Sequence, residues 1–483
     1  MTWNPRWKLA GSLGLATGMA LALVALPALV FAGQEGDVAP NEQVTFTKDV
    51  MPILQRSCQR CHHPDSIAPM SLITYEEVRP YARAIKYRTG LRNSPGVAGI
   101  YAMPPWYIDR NIGIQKFKND PSLSDEEIAT LATWADSGAR RGNPADMPPP
   151  IAFIDADEWE LGSPDLIVSS RSVTMKGQDS DWWGPIGDAP TGLTEDRYVA
   201  SIQMREVNDL DGQTGRATIG GLHIFHHLTM RQAGPDGMVY EDEAAQGWPT
   251  HEVGRNSDII DPAAGKLLRA GSKFVFPSAH LHSTGTDTTG HVEIGLTFHP
   301  KGYQPKTTLV RVGGSTGDLD IKGMEADQRI EAFTTLRENT KLVSFEPHMH
   351  AAGVRMCLDA IWGSTVETLA CAGYNHSWVR VYTYAEDAAP LLPKFTILRI
   401  TGYFDNTPAN KNVSDPRNWS GLGHRSMDNM LIHIGRGIQL SDEEFEQELA
   451  KRRESLTEGQ MVPGCPLCGY SKMPVTTASN QTP

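Results

Sequence analysis

Cys58-Gln59-Arg60-Cys61-His62 has the spacing C-x-x-C-H. Two thiols so placed reach the two vinyl groups of a porphyrin while the adjacent imidazole turns onto its iron, which is the attachment chemistry of a c-type haem. A disulfide or a zinc ion also uses paired cysteines, but two further ligands at zinc spacing are missing nearby. His62 would be the proximal ligand, and a methionine thioether is the usual sixth ligand of an electron-transfer haem. Met103, in Ala102-Met103-Pro104-Pro105-Trp106, fills that role where two prolines stiffen its loop, with Met70 in Ala68-Pro69-Met70 as the alternative.

Thirteen of the 15 histidines follow residue 220. His226 and His227 are adjacent, and neighbours on a regular strand face opposite sides, so one metal takes both only if the strand is distorted or ends there. His280-Leu281-His282 and His348-Met349-His350 are H-x-H pairs, whose period of two puts both imidazoles on one strand face. Met427 and Met430 add thioethers. Imidazole suits copper, zinc, iron and nickel, and thioether shifts the preference toward Cu(I), so the set points to copper; the zinc signature H-E-x-x-H is absent. His223, His251, His291, His299, His376, His424 and His433 read as core or surface residues instead.

The elements that must position these groups change along the chain. Residues 47–54 read as a helix leading into C-x-x-C-H, and 74–88 as a second, kinked at Pro80. Ser124, with Glu127 three residues on, caps a third whose apolar residues Ile128, Leu131, Ala132 and Trp134 are core. Prolines 144, 148, 149 and 150 close this region. Beyond it, short alternating runs such as 307–312, 341–345 and 395–404, separated by Gly, Asp, Asn and Pro, favour antiparallel β-sandwiches. A charged helix over 441–456, capped by Ser441, reads as solvated surface.

Residues 1–32 have the order of a secretory signal: Arg6 and Lys8, an acid-free apolar run over 9–31, then Ala32. The alternative is a retained anchor, and either places the chain in the periplasm or outside the cell. The net charge of −13, or −15 without 1–32, excludes binding nucleic acid through phosphate neutralisation. No Gly-rich phosphate loop and no G-x-S-x-G elbow is found. Export favours disulfides among the four remaining cysteines; three pairings exist, of which Cys357–Cys371 with a local Cys465–Cys468 is preferred.

From about residue 159 to 433 the chain resembles the copper type II, ascorbate-dependent monooxygenases, the group of peptidylglycine α-hydroxylating monooxygenase and dopamine β-monooxygenase. It is similar especially to bacterial forms with an N-terminal cytochrome c domain. The first half carries Phe225-His226-His227-Leu228, His280-Leu281-His282 and Ile294-Gly295-Leu296-Thr297-Phe298. The second carries Phe345-Glu346-Pro347-His348-Met349-His350, Tyr374-Asn375-His376-Ser377-Trp378, Tyr403-Phe404-Asp405-Asn406 and Ser426-Met427-Asp428-Asn429-Met430. The region before residue 145 joins through C-x-x-C-H, Ala68-Pro69-Met70-Ser71-Leu72 and Met103-Pro104-Pro105-Trp106.

The resemblance implies a multidomain fold: a small all-α cytochrome c-like domain over 40–145, a linker over 146–165, two antiparallel β-sandwich, jelly-roll-like copper domains over 166–305 and 306–440, and a charged tail over 441–483. It implies that His226, His227 and His280 hold an electron-transfer copper, and that His348, His350 and Met430 hold the copper where O2 and substrate meet. Leu281 stands where Tyr is usual, which leaves His282 open in place of His280; Ala351-Ala352-Gly353 replaces a bulkier, often basic sequence.

The expected protein is therefore an exported monooxygenase with two copper ions and one covalent haem c. It would hydroxylate a C–H bond of a small organic substrate with O2. The haem would relay electrons from a periplasmic donor, wholly or partly replacing ascorbate as the external reductant. The alternative, from a different class, is a copper and haem electron-transfer or copper-binding protein without hydroxylase activity.

Overall fold

The computed structural model describes residues 43–469 except 65, 67, 69, 95, 154–157, 211–222, 242–246, 253–256, 308, 426 and 458–459. The leader expected over 1–32 and the last part of the tail lie outside the described residues, as do Pro69 and Ser426 of the motifs above. From Val44 onward the described residues form one compact unit.

Strands dominate it, and their alternation explains why. In Lys273–Leu281 the buried residues Phe274 and Phe276 alternate with less buried neighbours before the strand sinks wholly into the interior. Strands between residues 166 and 298 make a six-stranded antiparallel sheet centred on Thr288–Phe298 and Arg197–Asn208, and a five-stranded one centred on Lys273–Leu281 and Phe225–Ala233. Both contribute to one apolar core, with Val199, Ile202, Ile294 and Leu296 from the first and Phe225, Leu228, Phe274 and Phe276 from the second. Between residues 309 and 440 lie two four-stranded and two two-stranded antiparallel sheets. Their common core includes Leu342, Phe345, Met349, Leu358, Ile400 and Phe404.

The expected fold class needs correction. The structure is mostly antiparallel sheet, its helices are short, and no all-α cytochrome c-like domain followed by two jelly-roll-like copper domains is evident among the described residues. Short helices do form before residue 145. Met51–Ser57 leads into the cysteines; Tyr75–Val78 and Ala82–Gly90 are separated at Pro80 by a 3-10 turn; Ser124 caps Asp125–Asp136 in a full capping box. They enclose a small core of Phe46, Leu54, Leu131 and Trp134.

The physical reason this does not close into a separate domain is the stretch between the second and third of these helical regions. Trp106, Ile108, Ile114 and Phe117 bury their side chains in the core of the later β half. Ile108 bridges Ala372 and Phe117 bridges Tyr384, while Arg355 ion-pairs with Asp109 at 2.6 Å.

The tail also differs from the expected solvated helix. Asp442–Glu454 is capped by Ser441, but Phe445 and Leu449 are buried with Leu391, Ile438 and Leu440, and Cys465 and Cys468 close the same cluster. Two cysteine pairs stand at disulfide distance, Cys357 with Cys371 and Cys465 with Cys468. The first pair sits directly cross-strand between Gly353–Trp362 and Thr365–Gly373. No helix among the described residues is long and apolar enough to cross a membrane.

Candidate functional site

His226 owes its orientation to a bulge. On the strand pair Phe225–Ala233 and Lys273–Leu281, His280 faces His227 and Leu281 faces Phe225, so His226 is the extra residue and its side chain is re-aimed. Its ring lies 4.7 Å from that of His280, 5.6 Å from His282 and 5.4 Å from His376, centre to centre. His280 stacks on Trp183 and donates its Nε2–H to Asp181 Oδ2 at 2.9 Å, which fixes Nδ1 as the unprotonated nitrogen. His282 donates Nε2–H to the His223 carbonyl at 2.9 Å with the same consequence.

His227 turns elsewhere. Its ring contact is with His348, 6.1 Å away, and the Nδ1 atoms of these two histidines lie 3.3 and 3.4 Å from one oxygen, Glu252 Oε1. Glu252 is buried on the edge strand His251–Glu252, which pairs with Phe225–Ala233. Burial alone would raise its pKa, but the two imidazoles outweigh this and hold the carboxyl well below the usual range. Glu252 thus ties a histidine of the first half to one of the second.

His348 and His350 are 5.5 Å apart, and His350 is 5.8 Å from His376. Pro347–Met349 pairs with Leu431–His433 so that Met349 faces Leu431, and His350 and Met430 directly adjoin the paired ends of these two strands. The His350 ring faces the backbone of Arg425 and Asp428 in the loop before Met430. Tyr374, buried, donates its hydroxyl to the Met349 carbonyl at 2.6 Å and so pins the peptide between the two histidines. A Cβ at Gly353 would meet Met349 Cβ at 2.5 Å, so the small residues after His350 permit this strand to lie close against its neighbour.

Of the sequence-predicted ligands, His226 and His280 come together, as do His348 and His350; Met430 immediately precedes the strand paired with Pro347–Met349, and His227 is drawn to the second group. Sequence reasoning missed three residues. His376 lies in a motif already quoted, but nothing in spacing ties it to the other histidines. Glu252 and Asp181 carry no pattern signal, because their role comes from tertiary contact. His299 stacks on Tyr303 and His433 donates Nδ1–H to the Val312 carbonyl, both as ordinary structural residues.

Burial and neighbouring imidazoles push His226 and His350 from the ordinary 6.5 down to about 3 each. They are neutral donors at neutral pH. Once unfolded they take up protons below 6.5, whereas the folded rings do not until about 3, so stability falls as pH is lowered through that window. The melting temperature of metal-free protein is expected to drop between pH 6.5 and 3, and less steeply in His226→Phe. Equal slopes in the two proteins would contradict the assignment.

Among the described residues no three His, Cys, Asp or Glu side chains already stand as a preformed ion site. The donor set nevertheless fits copper: Nδ1 of His226 and of His350 and both ring nitrogens of His376 are buried without a hydrogen-bond partner.

The C-x-x-C-H segment follows Met51–Ser57, whose last carbonyls it caps: Cys58 N–H donates to Leu54 O at 2.8 Å. Cys58 and Cys61 are free thiols, and burial pushes Cys58 up to about 12. His62 donates Nδ1–H to the Met70 carbonyl at 3.1 Å, leaving Nε2 to bind a metal. The Met70 side chain packs on the helical core, whereas Met103 is 40% exposed. A cavity of about 510 Å³ is lined by Arg56, Arg92, Arg110, Trp106, Leu123 and Glu127, and Arg56 and Glu127 also act electrostatically on the Cys58 thiol. Two free thiols and an oriented imidazole at this spacing fit a covalent haem. No protein-family model matches the chain, and no curated protein matches its sequence.

Proposed function

We propose that the protein is an exported copper-dependent monooxygenase that hydroxylates a C–H bond of a small organic molecule, with electrons arriving through a covalent haem from a periplasmic donor. The observation that carries this reading is the buried set of imidazoles from both β halves, several with unpartnered ring nitrogens. The resemblance to copper type II monooxygenases supports it. The net reaction consumes substrate, O2, two electrons and two protons, and yields the alcohol and water.

Copper bound by these histidines would supply one-electron storage and an O2-binding position. The protein's own contribution is orientation. Asp181 fixes His280, Glu252 fixes His227 and His348, and Tyr374 fixes the backbone between His348 and His350. A thioether from Met430 would favour the reduced ion. Cys58 and Cys61 would anchor haem, with His62 Nε2 on its iron, and the haem would supply single electrons.

The test is oxygen uptake by copper-loaded, haem-reduced protein against panels of small metabolites, with mass spectrometry for one added oxygen atom. Substrate-dependent uptake with that mass shift is expected. Reversible one-electron cycling with no oxygen insertion would instead favour an electron-transfer protein.

A further inference from the structure

The turn that follows strand Thr365–Gly373 is held from both sides. Tyr374 hydrogen-bonds the Met349 carbonyl, between His348 and His350. Asn375 Nδ2 donates to the Ile100 carbonyl at 3.2 Å, and Asn375 Oδ1 accepts from Ser377 N–H at 3.0 Å and Asn412 Nδ2 at 3.3 Å. The residue on this fixed mount is His376.

Its ring stands among imidazoles, 5.4 Å from His226, 6.5 Å from His280 and 5.8 Å from His350. Two imidazoles on one ion, each nitrogen ~2 Å from it, have ring centres about 5 Å apart at tetrahedral angles and at most about 6.5 Å apart when opposed. His226 meets that spacing with both His280 and His376, at 4.7 and 5.4 Å, while His280 and His376, at 6.5 Å, stand at its outer limit. His227, by contrast, has its ring contact with His348 and its Nδ1 on Glu252.

Neither nitrogen of His376 has a hydrogen-bond partner, although both are sealed from solvent. A neutral imidazole carries one N–H and one lone pair, and a buried polar group is normally satisfied. Other buried histidines leave at most one ring nitrogen unpartnered among the described residues, as His433 does at Nε2 while its Nδ1–H donates to Val312 O; His376 leaves both. His376 has a rigid mount, an unsatisfied ring and two imidazoles at ligand spacing.

We propose that His376 is a copper ligand, completing a three-imidazole site with His226 and His280 in the position the sequence resemblance gives to His227. This rests on the copper reading above. It also makes the site a joint product of the two β halves, because His376 belongs to the second and the other two to the first.

The experiment is copper(II) titration of the full-length protein, wild type, His376→Phe and His227→Phe, followed by electron paramagnetic resonance for the number of equatorial nitrogens. The metal-free melting temperature is measured for each. Phenylalanine removes the orphan nitrogens without exposing any, so metal-free His376→Phe is expected to melt no lower than wild type. Its affinity for one copper is expected to fall roughly tenfold or more, with one nitrogen fewer in the signal, and by more than in His227→Phe. Wild-type affinity and nitrogen count in His376→Phe would overturn the inference while leaving the copper reading intact. A wild-type protein that binds no copper would overturn both. If His376→Phe does not fold, His376→Gln is titrated against the same two criteria.

Discussion

A His348→Ala protein is expected to lose substrate-dependent oxygen uptake by more than the roughly 10–100-fold that removal of an outer partner of a metal ligand costs. His348 is both a candidate ligand and one of the two imidazoles on Glu252. Its removal takes away a donor and leaves the buried carboxylate with His227 alone. Met430→Ala is expected to act in the same direction with a smaller effect on fold, since a half-buried thioether is lost rather than a member of a buried polar group. Oxygen uptake and melting temperature measured together check this. Full turnover in either variant with an intact melt would remove the His348, His350 and Met430 assignment.

Replacing Cys58 and Cys61 together by serine is expected to abolish covalent haem. Attachment adds each S–H across a vinyl C=C, forming one C–S and one C–H bond, and so needs thiols that are neither oxidised nor committed to a metal. Both cysteines are free, while Cys357, Cys371, Cys465 and Cys468 are paired off at disulfide distance. Cys58, pushed up to about 12, stays protonated and is no ready metal thiolate. The measurement is haem absorbance that stays with the denatured wild-type chain and is absent from the double variant. Equal covalent haem in both would contradict the assignment, and its absence from both would remove haem from the account.

The parts of this account that were legible in the sequence are those written in local chemistry. The capping boxes at Ser124 and Ser441, the break at Pro80 and the alternating strands each depend on residues a few positions apart. The independent helical domain was not legible, because its fate is set by Trp106, Ile108 and Phe117 joining a core some 250 residues later in the chain. The tail helix reads as solvated from its charge, yet Phe445 and Leu449 find a sheet to cover.

The candidate site divides in the same way. H-x-H pairs announce themselves through the period of a strand, and His226-His227 announces a conflict with that period. Its resolution is tertiary: a bulge at His226 sends one ring toward His280 and His376, and Glu252 draws the other toward His348. Neither the carboxylate nor His376 can be picked out before the two halves are brought together.

The most direct test of the central claim needs no substrate: copper retained per chain after equilibration with copper(II) and removal of free metal, in the wild type and in the His226→Phe/His350→Phe double variant. Two coppers per wild-type chain are predicted, with neither held at wild-type affinity in the double variant. A wild-type chain that retains no copper, or a double variant that retains both at wild-type affinity, would contradict it.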